Sequence, residues 1–213
     1  MPTPLFPLHM VLFPGATLPL HVFELRYRLM MDQVLEGDRR FVVAAIRQGM
    51  EVGGPAEVYG TATLAQIEQV QRSEEGRMAI VVRGIKRVRV VTRLPDDPFP
   101  AAEVEPLSEQ LGLDADRAMT RARAAVHRYL SAVAKLRGTE VTAPALGEDD
   151  AINVSFVLAE VLHIDLPDRQ RLLEAPDAAA RLSLVEQLAR DEARLLDMVG
   201  PSVGRPTDSI SLN

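Results

Sequence analysis

The sequence predicts an α+β protein in which a β-rich pseudo-barrel precedes a helical bundle, and three observations carry that prediction. Through the first half, apolar residues alternate or run in short blocks between turn residues, whereas after about Gly112 they recur at i, i+3 and i+4. Prolines at positions 4, 7 and 19 confine their strands to edges, bulges or strand starts, so the opening segment should wrap around a small barrel rather than cross the middle of a sheet. Within the strand expected from Met78 to Val91, Ile80, Val82, Val88 and Val90 share one parity while Ile85 falls out of step beside Gly84. A bulge or corner at Gly84 restores the register, as a closed sheet requires. The implied division is a β-rich part over 1–110, a helical part over 111–200 and a disordered tail over 201–213.

The first element is the apolar run of Leu5, Phe6, Leu8, Val11, Leu12 and Phe13, which ends at Pro14-Gly15. Proline fixes φ and glycine accepts φ > 0, so this pair predicts a turn, with Phe13 as a core anchor of the barrel just before it. Leu18, Leu20 and Val22 then alternate as in a half-buried strand, and Glu24 to Met31 switch to helical spacing. Phe41 to Ile46 reads as a buried strand and Glu51 to Pro55 as a loop. Val58 to Val70 and Met78 to Val91 read as long strands around a polar hairpin turn, Ser73 to Gly76, and Ala101 to Val104 as a last short strand.

Beyond Gly112, Met119, Ala122, Val126, Tyr129, Leu130, Val133 and Leu136 mark a long helix, which Asp114 or Asp116 can cap and Gly138 can end. A loop through Pro144 and Gly147 follows. Ile152, Phe156, Ala159 and Leu162 mark a second helix, Pro167 suits the first turn of a third, and Pro176 that of a long fourth with Leu182, Val185, Leu188, Leu195 and Leu196 inward.

The opening block is similar to that of the amino-terminal substrate-binding domain of Lon-type ATP-dependent proteases. The matching residues are Leu5-Phe6-Pro7-Leu8, Val11-Leu12-Phe13-Pro14-Gly15, Leu18-Pro19-Leu20 and Phe23-Glu24-Leu25-Arg26-Tyr27, with Leu25 where the family usually has proline. Tyr59-Gly60-Thr61-Ala62, the stretch Val82 to Val90, Arg171-Leu172-Leu173-Glu174 and Arg181-Leu182 extend the resemblance over about residues 3 to 199. It implies a PUA-like barrel and a role in holding unfolded or exposed apolar polypeptide segments, with a polypeptide substrate, protease or chaperone as partner. Binding is expected on exposed aliphatic surface near the junction of the two parts.

Composition narrows the chemistry. There are 213 residues, a net charge of −6, 47% hydrophobic and 4% aromatic residues, and no cysteine. A sizeable aliphatic core is therefore possible, while disulfides and thiolate chemistry are excluded. No basic leader or apolar stretch of membrane-spanning length is present, so a soluble cytoplasmic protein is expected. Lys86 and Lys135 are the lysines, and neither lies in a Gly-Lys-Ser/Thr loop that could hold phosphate. Ser131 and Lys135 stand four apart on a helix with no Gly-rich oxyanion loop nearby, which reads as a solvated face. No catalysis, cofactor or metal is expected; the four histidines, His9, His21, His127 and His163, lack a third ligand at a suitable spacing.

Two groups remain as binding candidates. Phe23, Glu24, Arg26 and Tyr27 can rim a peptide groove, although Glu24 also suits a helix start and Tyr27 an anchor on the barrel. Arg83, Lys86, Arg87, Arg89 and Arg93 form the densest basic run, with Arg83 and Arg87 its candidate contacts for an RNA or small anionic ligand. Pairing with Glu68, Glu74 and Glu75 is the stronger reading of that run, because it lacks aromatic stacking partners and the chain is acidic.

Overall fold

The computed structural model describes residues 2–51, 56–138 and 150–199. In chain order the elements are β1 (Thr3–Leu8), β2 (Thr17–Val22), α1 (Leu25–Glu36), β3 (Arg40–Gly49), β4 (Ala56–Val58), β5 (Thr61–Arg72), β6 (Met78–Arg93), β7 (Ala101–Pro106), α2 (Ala115–Arg137), α3 (Ala151–Val161), α4 (Leu166–Glu174) and α5 (Ala178–Val199). Val52 to Pro55, the loop expected through Pro144 and Gly147, and the tail over 201–213 lie outside the described residues.

The strands follow the order β1-β7-β6-β5-β3, and a parallel pairing of β1 with β3 closes them into a five-stranded ring. Leu5, Val42, Ala44, Ala62, Val88 and Ala102 fill its interior, each ring strand supplying at least one. Three of the six are alanines, which suits the narrow lumen of so few strands. The alternate residues Phe6, Phe41, Val43, Ala65 and Ile67 point outward and pack with β2 and with Tyr27, Met30, Met31 and Val34 of α1. β3 is therefore buried on both faces, which is why Phe41 to Ile46 is an unbroken apolar run.

The prolines require a correction. β2 is an edge strand as expected, but β1 lies inside the ring, between β3 and β7. Its geometry tolerates proline because β7 pairs only with Thr3 and Pro4. Leu5 N–H donates to Pro100 O on that side at 2.8 Å. Two residues on, the nitrogen of Pro7 points the same way, past the last paired residue of β7, so no ladder bond is lost.

The expected bulge is present. Along the β5–β6 ladder Leu64 faces Lys86 and Ala65 faces Gly84, leaving Ile85 over, and a second shift follows between Ile67 and Gln69. The reason for the glycine differs from a special backbone angle, because Gly84 is not among the residues with positive φ. A Cβ there would sit 2.3 Å from the carbonyl oxygen of Phe13. The turn after Phe13 lies directly on Gly84.

α2 and α5 run side by side in the same direction: Ala178 and Ala179 at the start of α5 donate to Gln110 and Leu111 just ahead of α2, and Arg121 pairs with Glu186 two turns along. Two parallel helices cannot be joined by a short turn, and α3 and α4 lie between them in the chain. Asp150 and Asp165 cap α3 and α4 by accepting from Asn153 and Asp168, and Gly138 ends α2 at φ +64. Other details differ from expectation. Asp114 holds a left-handed backbone with no side-chain cap. Pro176 precedes α5, and Asp177 accepts from Ala180 N–H at its start. Leu195 is exposed. Phe13 is fully buried, yet it joins the helical cluster, 6.4 Å from Phe156, and not the barrel interior.

Candidate functional site

Pro14-Gly15 forms the expected turn: Ala16 N–H donates to Phe13 O at 3.1 Å and Gly15 has φ +84, the geometry of a type II turn with proline and glycine at its centre. It delivers the chain into β2, whose Leu18, Leu20 and Val22 are buried while Thr17, Pro19 and His21 are exposed. Where β2 gives way to α1, a pocket of about 260 Å³ opens, lined by Phe6, Leu8, Pro19, Leu20, His21, Val22, Phe23, Glu24, Tyr27 and Glu51. A wider groove of about 760 Å³ extends from His21, Val22 and Phe23 to the β5–β6 hairpin at Ser73, Glu74 and Glu75.

Three of the four residues singled out at the start of α1 line the pocket: Phe23, Glu24 and Tyr27. Phe23 is 53% exposed and borders both hollows. Arg26 serves as a brace. Its guanidinium pairs with Glu24 at 3.1 Å and lies 4.5 Å from the Tyr27 ring centre, while that ring stacks on Phe6 at 4.3 Å. Burial pushes the Tyr27 phenol up to about 12, opposed by Arg26 and reinforced by Glu24. Glu24 stands at the N-cap without a side-chain capping bond, so its carboxylate braces Arg26 and does not cap the helix. The sequence offered no sign of Glu51 as a wall; it arrives from the far end of β3, where it accepts His9 N–H at 2.8 Å. Further apolar surface, Met10, Leu25 and Met50, adjoins these residues along the chain.

The pocket thus lies on β1, β2 and α1, and no residue of α2 to α5 lines it. The junction of sheet and helices carries exposed Leu111 and Leu113, buries Val11, Phe13 and Ala45 in the helical cluster, and includes a buried polar joint. Arg87 is only 3% exposed; it donates twice to Glu109, at 2.6 and 2.9 Å, and to the carbonyls of Leu173 and Ala175, both at 2.7 Å. Arg181, fully buried, donates to Leu172 O, Ser155 Oγ and Glu109 and lies 3.8 Å over the Phe156 ring. Burial and the neighbouring Arg87 lower its pKa to about 10, against the pull of Glu109. Arg87 is therefore spent on binding helix to strand, which corrects its placement as a ligand contact. Arg83 donates to Glu68 and to Gly15 O, and Arg93 pairs with Asp96, so Lys86 and Arg89 are the exposed remainder of the run.

Sequence reasoning missed Glu109 and Ser155 as partners of the two arginines, since neither stands at any fixed spacing from them. It also missed Gln170, which donates from α4 to Thr61 O of β5 at 3.0 Å. Among the described residues no three His, Asp or Glu side chains gather as a metal site, and no helix is long and apolar enough to cross a membrane. Ser131 Oγ donates to His127 O within α2, the arrangement of an ordinary helix surface.

The model of the ATP-dependent protease La (LON) substrate-binding domain matches residues 2–191. Lon protease 2 of Desulfotalea psychrophila is 27% identical over 198 residues, 92% of this chain and 26% of that protein. Lon protease of Trichlorobacter lovleyi is 27% identical over 201 residues, 92% of this chain and 24% of that one. The chain thus spans about a quarter of the length of the curated relatives it matches. A Lon N-terminal domain protein from Xanthomonas campestris superposes with a TM-score of 0.63 at 27% identity, covering 88% of this chain and 96% of that one. The N-terminal domain of Mycobacterium avium complex Lon protease reaches 0.65 over 90% and 99% at 17% identity, a likeness of fold alone.

Proposed function

This chain belongs to the ATP-dependent protease La (LON) substrate-binding domain family, and on that premise we propose that the pocket between β2 and α1 holds apolar side chains of unfolded polypeptide segments. The β-rich part over 1–110 supplies the contact surface, and the helical part over 111–200 supports it. One observation carries this reading: Phe23, a large aromatic residue, stands half exposed between two hollows with Leu8, Leu20 and Val22 beside it. Exposed aromatic surface next to a concave apolar site is what apolar recognition needs. The basic strand supports an RNA-binding role less well, because Arg83, Arg87 and Arg93 are all engaged with carboxylates of this chain.

The test is fluorescence anisotropy with reduced, carboxymethylated α-lactalbumin and with the native protein, at low and moderate ionic strength. Preference for the unfolded form should survive added salt, since apolar association is not screened as ion pairs are. Phe23→Asp should weaken binding roughly ten- to a hundredfold, the loss expected for one buried aromatic contact. Equal affinity for native and unfolded forms, or tight salt-sensitive binding of single-stranded RNA in their place, would refute the proposal.

A further inference from the structure

The turn before β2 also sets which way the backbone of that strand faces. Gly15 N–H donates to Gly84 O at 2.8 Å and Gly84 N–H donates to Ala16 O at 2.9 Å, a bulge in which two residues oppose one. That contact fixes the parity of the antiparallel β2–β6 ladder, which continues as Thr17 opposite Arg83 to Val22 opposite Met78. Counting from Ala16, the residues that exchange bonds with β6 are Leu18, Leu20 and Val22. Thr17, Pro19 and His21 turn their backbone groups away from it. Pro19 agrees with this assignment, because at a position facing β6 its missing N–H would break the ladder. Among the described residues no strand pairs with the other edge of β2. The edge therefore presents N–H and C=O at Thr17 and His21, and C=O alone at Pro19.

We propose that an extended polypeptide segment adds to this edge as a further strand. The inference rests on the polypeptide-binding reading above and specifies how the segment is held. Six residues of edge span about 20 Å, and the two full donor-acceptor positions stand four residues apart with an acceptor between them. Native edges are commonly blunted by charge or by a covering element; the side chains along this one are threonine, proline and histidine, and Pro19 removes a single donor. The pocket and the hairpin groove meet at its end around His21, Val22 and Phe23, so successive side chains of an added strand, which alternate in direction, reach both. Glu24 and Glu51 disfavour acidic side chains on the pocket side, whereas in the hairpin groove Glu74 and Glu75 are matched by Arg72 and Arg77. The occupant is an extended, apolar, non-acidic stretch with free N–H groups at alternate positions.

The decisive probe is the best-binding member of a set of short overlapping β-casein peptides, resynthesised with one N-methyl group at each position in turn. Methylation at alternate positions should weaken binding about tenfold, and at the intervening positions less than about threefold. On the protein, His21→Pro removes one outward N–H without touching the β6 ladder and should weaken binding roughly three- to tenfold. His21→Ala keeps that N–H and should bind within about threefold of the parent. If His21→Pro does not fold, the peptide series decides alone. Peptides that still bind and still lose affinity with Phe23→Asp, but show no alternation on methylation, would overturn strand addition and leave the pocket reading standing. Absence of any peptide binding would overturn both. A concentration-dependent dimer cross-linked through Thr17→Cys, with no effect of peptide upon it, would make a second copy the occupant and overturn the proposal.

Discussion

Replacing Gly84 by alanine tests whether the turn after Phe13 is seated on β6 as described. The added Cβ would lie 2.3 Å from Phe13 O, 3.0 Å from Phe13 C and 3.2 Å from Thr63 Cγ2. Restoring ordinary contact requires the turn to withdraw by about 1 Å. The two bonds that hold it, Gly15 N–H to Gly84 O and Gly84 N–H to Ala16 O, start at 2.8 and 2.9 Å and would pass out of bonding range. Their loss costs about 1–3 kcal/mol in total, and the overpacking about 1–3 kcal/mol more. Alanine recovers about 0.5–1 kcal/mol of backbone entropy within a strand, leaving a net loss of about 1–5 kcal/mol. Gly15→Ala is the control. Its φ of +84 strains any L residue, but nothing lies within 4 Å of the new carbon, so it should cost only about 1–2 kcal/mol. Urea denaturation of both variants and the parent, compared at equal slope, measures the difference. A Gly84→Ala midpoint equal to the parent's, or a cost below that of Gly15→Ala, would refute the steric argument.

Three further outcomes are expected. Phe13→Ala should cost about 3–5 kcal/mol by emptying a fully buried site against Phe156, checked by the same denaturation; a parental midpoint would mean the bundle is not anchored there. Glu109→Ala leaves Arg87 and Arg181 buried with no carboxylate between them and should cost about 3–5 kcal/mol, read by the denaturation midpoint; a loss under about 1 kcal/mol would show that the joint is hydrated. The Tyr27 phenol titrates near 12 when folded and near 10 when unfolded, so its contribution to stability is complete below pH 10 and is lost as pH rises from about 10 to 12. Tyr27→Phe should flatten that alkaline decline in thermal melting temperature; an unchanged pH profile would show that the phenol is open to solvent.

The sequence by itself determined the elements and the class. Hydrophobic period separates strand from helix locally, Pro14-Gly15 dictates a turn whose φ only glycine meets comfortably, and the parity slip at Ile85 announces a bulge from within a single strand. The opening motif also located Phe23, Glu24 and Tyr27, because the residues that wall the pocket on that side are adjacent in the chain. What only the tertiary structure decided are the relations between distant segments. The parallel pairing of β1 with β3 places proline-bearing β1 inside the ring, and only the limited reach of β7 explains why Pro7 is tolerated there. Arg83 and Arg87 look alike on one strand, yet Arg83 faces Glu68 near solvent while Arg87 is buried under the end of α4 beside Glu109. Burial depends on what packs above a residue, and here that element lies 86 residues further along the chain. Local propensity carries no information across such a separation. The pocket's Glu51 wall, the seat of the turn on Gly84 and the edge of β2, with which no other described strand pairs, all depend on contacts between distant segments.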